Sequence, residues 1–562
     1  MNIAARLTEM AGKMPDATAI AEPLGYGRDG KRHYRQVTFR QLDQDSNRIA
    51  RGLRGLGVVP GARLALLVPS GIDFIALVFA LFKARAIAIL IDPGMGRGSL
   101  VRCLAEARPE GFVAVPRAHA VRVMLRHRFP LARLNVTVGR RWFWGGMTLQ
   151  QLRNGPEHWQ ASGTDEPLAV AADEPAAIIF STGSTGPPKG VLYRHGNFNA
   201  QVEEIRDCYA IRPGEIDLPC FPLFGLFNCA MGVTTVIPDM DPSRPARVDP
   251  AKIVEAITDW RVTQAFGSPA IWNRVGRYCE QRGVRLATLG RVLSAGAPVP
   301  ADVLGRMKAC IREDGDVYTP YGATEALPVA SISATEVLHD TAQATRQGAG
   351  VCVGRNFPGI RWKVIRIVDG PIRALDQTEE MPAEQIGELI VQGPVVTWEY
   401  VTRPESNATA KIPDAAGVWH RMGDTGYLDA SGRFWFCGRV AHRVLTPDGP
   451  MYPICCEAIF NQHPAVFRSA LVGVGPPGRQ RPVIVLELES SPASDRLLAE
   501  IRQLAASHPL CAAIDDFLVH PALPVDIRHN VKIFREKLAV WAEKRIASGK
   551  TSASTNGPSE LH

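Results

Sequence analysis

The residues of this chain that are best suited to chemistry begin with the segment FSTGSTGPPKGV, Phe180–Val191, which follows the apolar run AAIIF. Glycines expose backbone N–H groups and let a ligand approach closely, while serine and threonine hydroxyls add donors. Lys189 supplies a positive charge for phosphate oxygens. The segment lacks the Walker A spacing, yet it favours a polyphosphate-binding loop over a flexible polar turn. Its candidate binding residues are Thr182, Gly183, Ser184, Thr185, Gly186 and Lys189.

Strand and helix patterns alternate on both sides of this loop. Near the start of the chain we predict helix 39–56, strand 63–68, helix 72–84 and strand 86–91, and a similar alternation returns over residues 176–318. Such alternation predicts β-sheets that are covered by helices. Between Val353 and Phe436, strand-like runs separated by turn residues predict a β-rich subdomain. The predicted fold class is therefore α/β, with a large N-terminal domain of helix-covered sheets plus a β-rich subdomain, and a smaller mobile α+β domain at the C-terminus.

The length of 562 residues predicts more than one domain. We place the main boundary near residue 440, which gives an N-terminal domain of residues 1–439 and a C-terminal domain of residues 440–545. Residues 546–562 are mostly small and polar, and they predict a disordered tail.

The composition predicts a soluble cytoplasmic protein. The chain is 46% apolar and 21% charged, and its eleven irregularly spaced cysteines fit buried thiols in a reducing compartment. The N-terminus lacks the pattern of a secretory signal, and charges interrupt the apolar segment 72–92, which favours a buried helix and strand over a membrane span. The net charge of +8 is mild for this length; it slightly favours anionic small molecules or an anionic surface and does not predict nucleic-acid binding.

Five segments, in this order, resemble motifs of the AMP-forming, adenylate-forming superfamily, which includes acyl-CoA synthetases, peptide-synthetase adenylation domains and beetle luciferases. They are FSTGSTGPPKGV, LSAGAPVP at 293–300, YTPYGATEA at 318–326, WHRMGDTGYLDASGRFWFCGR at 419–439 and PVDIRHNVKIFREKL at 524–538. Their ordered occurrence is more specific than any single match. The resemblance covers residues of about 40 to 540 and implies ATP and Mg²⁺, an AMP-binding N-terminal domain and a C-terminal lid domain.

The resemblance also implies roles for the residues around YTPYGATEA. Tyr321 would stack on adenine, Thr324 would contact the α-phosphate, and Glu325 would hold Mg²⁺, a hard cation that prefers oxygen ligands. Taken alone, this motif could also be a strand-end turn with a helix-capping threonine. Further candidates for the adenine pocket are Gly296, Ala297, Pro298 and Gly322.

Three later residues complete the implied nucleotide site. Asp424 would accept hydrogen bonds from both ribose hydroxyls, and Arg439 would reach the same ribose from the domain junction. Lys532 fits the family's mobile lysine, which steadies the carboxylate and the α-phosphate during adenylation, although a surface lysine is the ordinary alternative. The implied catalytic residues are Lys189, Thr324, Glu325 and Lys532.

The chain departs from the thioester-forming members of the superfamily at several positions. Gly225 stands where many of them have histidine, Ala441 followed by His442 stands at the hinge, and Pro453–Glu457 reads PICCE where P-x-E-I-E is usual. Met422 replaces the threonine that usually precedes the Gly-Asp pair. These departures disfavour a standard CoA-thioester half-reaction.

The segment FPLFGLFN, Phe221–Asn228, is aromatic and aliphatic. It suits a tunnel for a long alkyl chain better than a pocket for an amino acid, whose ammonium group would need a carboxylate partner. Core packing is the alternative. The candidate substrate-binding residues are Phe224, Gly225 and Phe227.

Together with the glycine-rich loop and the C-terminal motif, FPLFGLFN resembles the β-lactone synthetase subgroup of bacterial long-chain olefin biosynthesis. The resemblance implies adenylation of a 2-alkyl-3-hydroxy acid, after which the β-hydroxyl closes a β-lactone. It also implies other olefin-pathway enzymes as partners, with which the chain could form an assembly. The alternatives are a long-chain fatty acyl-CoA synthetase and a non-catalytic nucleotide-binding scaffold, which product analysis and a pyrophosphate-release assay would distinguish.

Overall fold

The computed structural model describes residues 1–155, 170–181, 186–490, 494–525 and 533–548. In chain order, the strands are β1 Thr18–Tyr26, β2 Arg32–Thr38, β3 Arg63–Leu67, β4 Ile87–Leu90, β5 Gly111–Ala114, β6 Leu134–Thr137, β7 Met147–Thr148, β8 Pro175–Phe180, β9 Gly190–Arg194, β10 Ile216–Pro219, β11 Thr234–Val236, β12 Gln264–Gly267, β13 Arg291–Ser294, β14 Asp316–Ala323, β15 Ala326–Ser333, β16 Val351–Cys352, β17 Arg355–Asn356, β18 Arg361–Ile365, β19 Gly387–Gln392, β20 Lys411–Asp414, β21 Gly417–Leu428, β22 Phe434–Arg439, β23 Val444–Thr446, β24 Gly449–Met451, β25 Val466–Val474, β26 Arg481–Leu488 and β27 Asp516–Val519.

The α-helices lie between these strands, except that the first precedes β1 and the last follows β27. They are α1 Ala4–Lys13, α2 Phe39–Gly55, α3 Ile72–Lys83, α4 Arg97–Ala107, α5 Pro116–Met124, α6 Leu149–Arg153, α7 His195–Cys208, α8 Phe224–Met231, α9 Pro250–Asp259, α10 Pro269–Arg282, α11 Ala301–Cys310, α12 Ala334–Glu336, α13 Ala342–Arg346, α14 Asn407–Ala410, α15 Pro453–Phe460, α16 Asp495–Ala506 and α17 Arg535–Ala547.

Two sheets of mostly parallel strands dominate the first part of the chain. The seven-stranded sheet has the order β7-β6-β5-β3-β4-β8-β9, in which only β9 runs antiparallel to its neighbour. The nine-stranded sheet has the order β17-β15-β14-β13-β12-β10-β11-β1-β2. Apolar helices cover these sheets; in α3, for example, every residue from Ile75 to Lys83 is buried. Parallel strands need such cover because their side chains are apolar on both faces.

A third sheet is antiparallel and has the order β16-β22-β21-β19-β18, with β20 paired to β21. One hydrophobic core joins it to the other two sheets, since the cluster contains Leu90 of β4, Val329 of β15 and Leu389 of β19. Beyond residue 440, β23 pairs with β24, and β25, β26 and β27 form a three-stranded sheet. That sheet packs with α15 and α16 around a separate apolar cluster that includes Phe460 and Ile501.

The structure confirms the predicted α/β character and places the early elements within two residues of their predicted bounds. The segment 72–92 is the buried helix α3 followed by strand β4, as predicted. Among the described residues, no helix combines the length and the apolar character that crossing a bilayer requires. Helix α17 continues to Ala547, two residues into the predicted tail, and residues 549–562 lie outside the described ranges.

Candidate active site

The glycine-rich segment connects two antiparallel neighbours, β8 and β9, with Phe180 paired to Gly190. The backbone N–H of Ser181 donates to the carbonyl oxygen of Lys189 over 3.0 Å, and the N–H of Lys189 donates to Ser181 Oγ over 3.2 Å. Both ends of the loop are therefore held together at the base of the hairpin. The candidates Thr182, Gly183, Ser184 and Thr185 lie outside the described residues, whereas Gly186 and Lys189 lie within them.

Lys189 and Glu325, which are 136 positions apart in the chain, meet around Tyr400. The Nζ atom of Lys189 lies 4.9 Å from the centre of the Tyr400 ring, and the Tyr400 hydroxyl donates to Glu325 Oε1 over 2.8 Å. The N–H and the hydroxyl of Thr397 both donate to the carbonyl oxygen of Glu325 at 2.9 Å. The structure thus fixes the buried Glu325 from two directions.

The segment 393–402 brings Lys189 and Glu325 close together because it pairs with strands of two sheets. Tyr400 forms a single bridge to Val191 of β9, and Val396 forms one to Ala326 of β15. The hydroxyl of Thr402 accepts the N–H of Gly190 over 2.7 Å. The segment therefore connects the glycine-rich hairpin to the strand that follows Glu325.

A buried basic pair lies behind this cluster. Lys411 of β20 is the cross-strand partner of His420 of β21, and its amine donates to the carbonyl oxygen of Thr397. Burial lowers the pKa of Lys411 to about 7, although the nearby charge of Glu325 opposes the shift. Burial first, and then the charge of Lys411, hold the pKa of His420 well below its usual range. His420 Nδ1 donates to the carbonyl oxygen of Ala410 over 3.1 Å, and this hydrogen bond opposes the lowering of the pKa in part.

A second polar cluster surrounds Asp424. The Tyr321 hydroxyl donates to Asp424 Oδ2 over 2.5 Å, and Arg439 Nη1 donates to Asp424 Oδ1 over 2.6 Å. Asp424 and Arg439 are directly paired across β21 and β22, while Tyr321 comes from β14 of the nine-stranded sheet. Burial and the adjacent carboxylate raise the pKa of Tyr321 well above its usual range, so the hydroxyl stays protonated and donates. Arg439 also donates to the carbonyl oxygen of Met422 over 3.0 Å, while its Nε is buried and has no partner among the described residues.

The predicted adenine-pocket turn follows β13, the neighbour of β14 in the same sheet. Gly296 has a φ of +99°, a conformation that strongly favours glycine. At Gly322, a Cβ atom would lie 2.7 Å from the carbonyl oxygen of Ala326, so this strand end has no room for a side chain. Ala297 and Pro298 lie in the same turn, and Thr324 accepts the Tyr193 hydroxyl on its carbonyl oxygen over 2.6 Å.

The aromatic segment 221–228 begins helix α8 and packs its rings together. The Phe224 ring stacks on Phe266 with centroids 3.9 Å apart, and it lies 5.8 Å from the ring of Phe227 and 6.0 Å from that of Phe221. Phe224 is half-buried, whereas Phe227 is buried. At Gly225, a Cβ atom would lie only 2.6 Å from Cδ1 of Ile75 on α3. The close approach of α3 therefore accounts for glycine at this position.

Polar contacts hold the other side of α8. Asn228 Nδ2 donates to Asp217 Oδ2 over 2.7 Å and to Thr235 Oγ1 over 3.2 Å. Burial raises the pKa of Asp217 to about 7, although the hydrogen bond from Asn228 opposes the shift. The aromatic side of the helix is thus oriented by a hydrogen bond to the adjacent strand β10.

An ion pair and a histidine–carboxylate contact anchor the region around the predicted mobile lysine, although Lys532 itself lies outside the described residues. Arg535 Nη2 lies 2.7 Å from both carboxylate oxygens of Glu457, and His442 Nε2 lies 3.2 Å from Glu536 Oε1. Burial lowers the pKa of His442 to about 4. The PICCE segment forms the start of α15, where Cys455, Cys456 and Glu457 are buried in packing contacts.

Sequence motifs do not identify all the side chains that surround the site. Tyr400, Thr397 and Lys411 belong to no motif that we recognised, and His420 lies in the segment 419–439 without a predicted role, yet all four contact predicted site residues or one another. The available signal is weak: Lys411 and His420 are basic residues at strand positions where burial would otherwise favour apolar side chains.

Residues 7–401 match the family described as AMP-binding enzymes. The chain belongs to this family. The match includes the glycine-rich hairpin, the turn after β13 and Glu325, and it confirms the family prediction.

Two curated relatives extend the similarity of this AMP-binding enzyme over nearly its whole length. It is 45% identical over 555 residues to the olefin β-lactone synthetase of Xanthomonas campestris pv. campestris, covering 97% of this chain and 98% of that protein. It is also 45% identical over 553 residues to the olefin β-lactone synthetase of Stenotrophomonas maltophilia, with the same coverage. The predicted enzyme class, an AMP-forming synthetase, is confirmed.

Solved structures of lower identity share the fold of this AMP-binding enzyme. The amide bond synthetase McbA of Marinactinospora thermotolerans superposes with a TM-score of 0.77 at 20% identity, covering 96% of this chain and 99% of that chain. An o-succinylbenzoate CoA synthetase of Bacillus subtilis, in complex with its acyl-adenylate, gives a TM-score of 0.73 at 19% identity, covering 95% and 97%. These likenesses confirm the predicted fold class.

Proposed function

We propose that this AMP-binding enzyme uses ATP to adenylate a long-chain 2-alkyl-3-hydroxy acid and then lets the β-hydroxyl of the same molecule displace AMP, which yields a β-lactone. The observation that carries the proposal is the 45% identity, over 97% of the chain, to two olefin β-lactone synthetases. The products would be the lactone, AMP and pyrophosphate. Other enzymes of olefin synthesis would supply the acid and consume the lactone.

The Asp424 cluster supports a role in holding the nucleoside of ATP. Asp424 is an acceptor fixed by Tyr321 and Arg439, and a carboxylate has enough acceptor sites to bind a vicinal diol in addition to these donors. The tight backbone at Gly322 and the turn after β13 suit the approach of a flat base. In this assignment, Tyr321 contributes its ring face, and Arg439 orients Asp424.

The Glu325 cluster fits Mg²⁺ and the phosphates. Glu325 uses Oε1 to accept the Tyr400 hydroxyl, and none of the described hydrogen bonds involves Oε2. A single carboxylate such as Glu325 suits Mg²⁺, because this ion commonly takes one or two carboxylates together with substrate phosphates. The bound ion would neutralise phosphate charge. Lys189 would bind oxygens of the departing pyrophosphate, and Thr324 would bind the α-phosphate.

The first chemical step joins two anions, so positive charge in the site decides its rate. A carboxylate oxygen of the acid attacks the α-phosphorus, the bond to pyrophosphate breaks, and an acyl-AMP anhydride forms. Lys189, at the end of the glycine-rich loop, would supply charge to the departing pyrophosphate. Lys532 remains the predicted cation for the carboxylate and the α-phosphate. In the second step the β-hydroxyl oxygen attacks the acyl carbon and loses its proton, and AMP leaves with the shared oxygen. Proximity favours this ring closure, with effective molarities of about 10⁵ M or more for well-oriented groups.

The aromatic side of α8 supports a long-chain substrate. Phe224 is half-buried beside Phe221, Phe227 and Phe266, so its ring offers an apolar wall without a charged partner for a polar substrate. Gly225 presents no side chain toward α3, since Ile75 already occupies the space. The histidine that many thioester-forming members carry at this position could not be accommodated without displacing Ile75.

Product analysis tests the proposal. The purified chain would receive ATP, Mg²⁺ and a long-chain 2-alkyl-3-hydroxy acid, with and without coenzyme A, and the lipid product would be identified by NMR. We expect a β-lactone in both reactions and no requirement for the thiol. Turnover that depends on coenzyme A and gives a thioester would support a long-chain acyl-CoA synthetase instead. Absence of pyrophosphate release with every hydroxy acid would support a non-catalytic nucleotide-binding protein.

A further inference from the structure

A strongly basic surface lies at one edge of the molecule, far along the sheet from the glycine-rich hairpin. It comprises helix α5, the segment 125–133 and the loop 139–146, and we call it the basic-aromatic surface. Residues 111–155 contain no aspartate or glutamate. Strands β6 and β7 form this edge of the seven-stranded sheet, whereas β9 forms the opposite edge. The positive charge of the chain, which is modest on average, is therefore concentrated locally.

Six arginines of this surface are exposed and have no acidic partner among the residues that the structure describes. The six exposed arginines are Arg117, Arg126, Arg128, Arg133, Arg140 and Arg141. None of them forms an ion pair with any residue in the described ranges, and residues 111–155 contain no carboxylate side chain that could pair with them. The surface consequently presents uncompensated positive charge to an anionic partner.

Large apolar side chains project from the same surface. Phe143 is 81% exposed, Met124 is 78% exposed and Trp142 is 60% exposed. Exposed aromatic residues of this size, set among arginines, are unusual on a surface that faces only water.

A buried tryptophan holds the exposed rings in place. Trp144 stacks on His119 of α5 with centroids 5.9 Å apart and donates from Nε1 to Thr137 Oγ1 over 3.0 Å. The rings of Trp142 and Phe143 lie 5.5 Å and 5.6 Å from that of Trp144. The loop and α5 are therefore one structural unit, and the exposed rings are fixed rather than left on a free tail.

Helix α5 presents the same combination on its outward face. Arg117, Val121, Met124 and Arg128 recur at helical spacing along α5 and just beyond its end, and all are exposed. Arg122 points inward instead, donating from Nη2 to the carbonyl oxygen of Trp144 over 3.2 Å. Apolar groups flanked by guanidinium groups are typical of a helix that lies in a membrane interface.

We propose that the basic-aromatic surface docks this enzyme onto bilayers that contain anionic phospholipids. Tryptophan and phenylalanine favour the headgroup region of a bilayer, and each arginine near an anionic membrane contributes an attraction that alone changes partitioning roughly fivefold. A nucleic acid would match the charge but not the protruding methionine and valine side chains. A protein partner would have to supply an apolar surface rimmed by many carboxylates. The inference uses only surface residues and does not depend on the proposed lactone chemistry, although it would place the site near lipids that carry long-chain acids.

Vesicle co-sedimentation tests this proposal with the full chain. Vesicles of phosphatidylcholine alone are compared with vesicles that contain about a third phosphatidylglycerol, at about 0.1 M and about 0.5 M salt. We expect binding to the anionic vesicles at the lower salt, at least tenfold weaker binding to neutral vesicles, and marked weakening at the higher salt. Failure to bind anionic vesicles at low salt would overturn the proposal, and so would equal binding to both vesicle types.

Paired variants locate the binding to this surface. R126Q/R128Q and W142A/F143A should each weaken vesicle binding by about tenfold or more. The matched controls R28Q/R479Q and L24A/V59A change exposed residues elsewhere and should bind like the unaltered chain. Pyrophosphate release with a short soluble hydroxy acid should be the same in all five proteins, which shows that they are folded. Unchanged vesicle binding by either surface variant would contradict the proposal, as would a duplex DNA that binds as tightly as anionic vesicles and loses affinity in both surface variants.

Discussion

On the nucleotide side of the proposed site, charged and hydroxyl side chains come together from three sheets, whereas on the acyl side aromatic rings come from one helix and a neighbouring strand. Glu325 depends on Tyr400 and Thr397, and Asp424 depends on Tyr321 and Arg439. Each polar contact has a defined donor and acceptor. Ring packing around Phe224 is less directional, so volume matters more than atomic position. Substitutions should therefore affect rate and nucleotide affinity sharply on the first side, and substrate preference more gradually on the second.

The largest effect is expected from Glu325→Gln, which keeps the shape of the side chain but removes its charge. Loss of the carboxylate that would hold Mg²⁺ should slow pyrophosphate release by about a hundredfold or more, because charge neutralisation dominates this step. The assay is steady-state pyrophosphate release with saturating ATP and acid. Glu405→Gln, at an exposed position, is the matched control. If the activity of E325Q stays within about twofold of the control at every Mg²⁺ concentration tested, Glu325 does not hold the metal ion.

A smaller effect is expected from Asp424→Asn. The variant loses the charge that Arg439 pairs with and weakens the acceptor proposed for the ribose, so the KM for ATP should rise by about tenfold to a hundredfold, while kcat changes less. Tyr321→Phe removes only the hydroxyl that orients Asp424 and should raise the KM by less. Asp376→Asn, an exposed position, serves as the control. A fall in kcat with an unchanged KM for ATP would contradict the assignment of Asp424 to ground-state binding.

On the acyl side, Gly225→Ala places a methyl group 2.6 Å from Cδ1 of Ile75. Overpacking of this kind costs about 1–3 kcal/mol in the free energy of unfolding, and the shift of α8 that relieves it should raise the KM for long-chain acids without changing the KM for ATP. The double variant G225A/I75V removes the clashing Cδ1 atom and should recover most of the loss. If the double variant is no better than G225A, the contact with Ile75 is not the reason for glycine at this position.

The smallest effect on activity is expected from Asp217→Asn, which tests the support behind α8. Burial raises the pKa of Asp217 from 3.8 to about 7, so between these values the folded chain holds a proton that the unfolded chain has released. Stability therefore falls as pH rises through this window, and D217N should escape that fall. At pH 8, the Tm of D217N, measured at a fixed scan rate, should exceed that of the unaltered chain. The corresponding gain in the free energy of unfolding is at most about 4 kcal/mol, and it should shrink toward pH 4. A gain that does not depend on pH would show that Asp217 is ionised throughout.

Much of the site could be predicted because its motifs are short segments at strand ends. Gly322, Thr324 and Glu325 lie together at the end of β14, and Asp424 and Arg439 lie opposite one another on adjacent strands. Tyr400 could not be predicted, because it reaches Glu325 across 75 positions of sequence through a segment that bridges two sheets. Contacts of this kind depend on how sheets pack, and neither periodicity nor local spacing reports them.

The charge of the surface shows a similar limit. A net charge of +8 averaged over 562 residues suggests an even, mild excess, and it did not point to any particular surface. The segment 111–155 contains arginines but no acidic residues. In the structure, Trp144 contacts His119 and Arg122 and so joins the exposed loop 139–146 to helix α5. A docking surface is indicated by a local concentration of charge beside fixed apolar rings, and not by the net charge of the chain.

The fate of the carboxylate oxygens tests the central claim most directly. The unaltered chain would receive ATP, Mg²⁺ and a 2-alkyl-3-hydroxy acid labelled with oxygen-18 at both carboxylate oxygens. Mass spectrometry would then measure the oxygen-18 content of each product. The account predicts that AMP gains one labelled oxygen and that the β-lactone retains one, because the acyl-AMP bond shares a carboxylate oxygen and the ring oxygen comes from the hydroxyl. AMP without label, or label in pyrophosphate, would contradict attack of the carboxylate on the α-phosphorus.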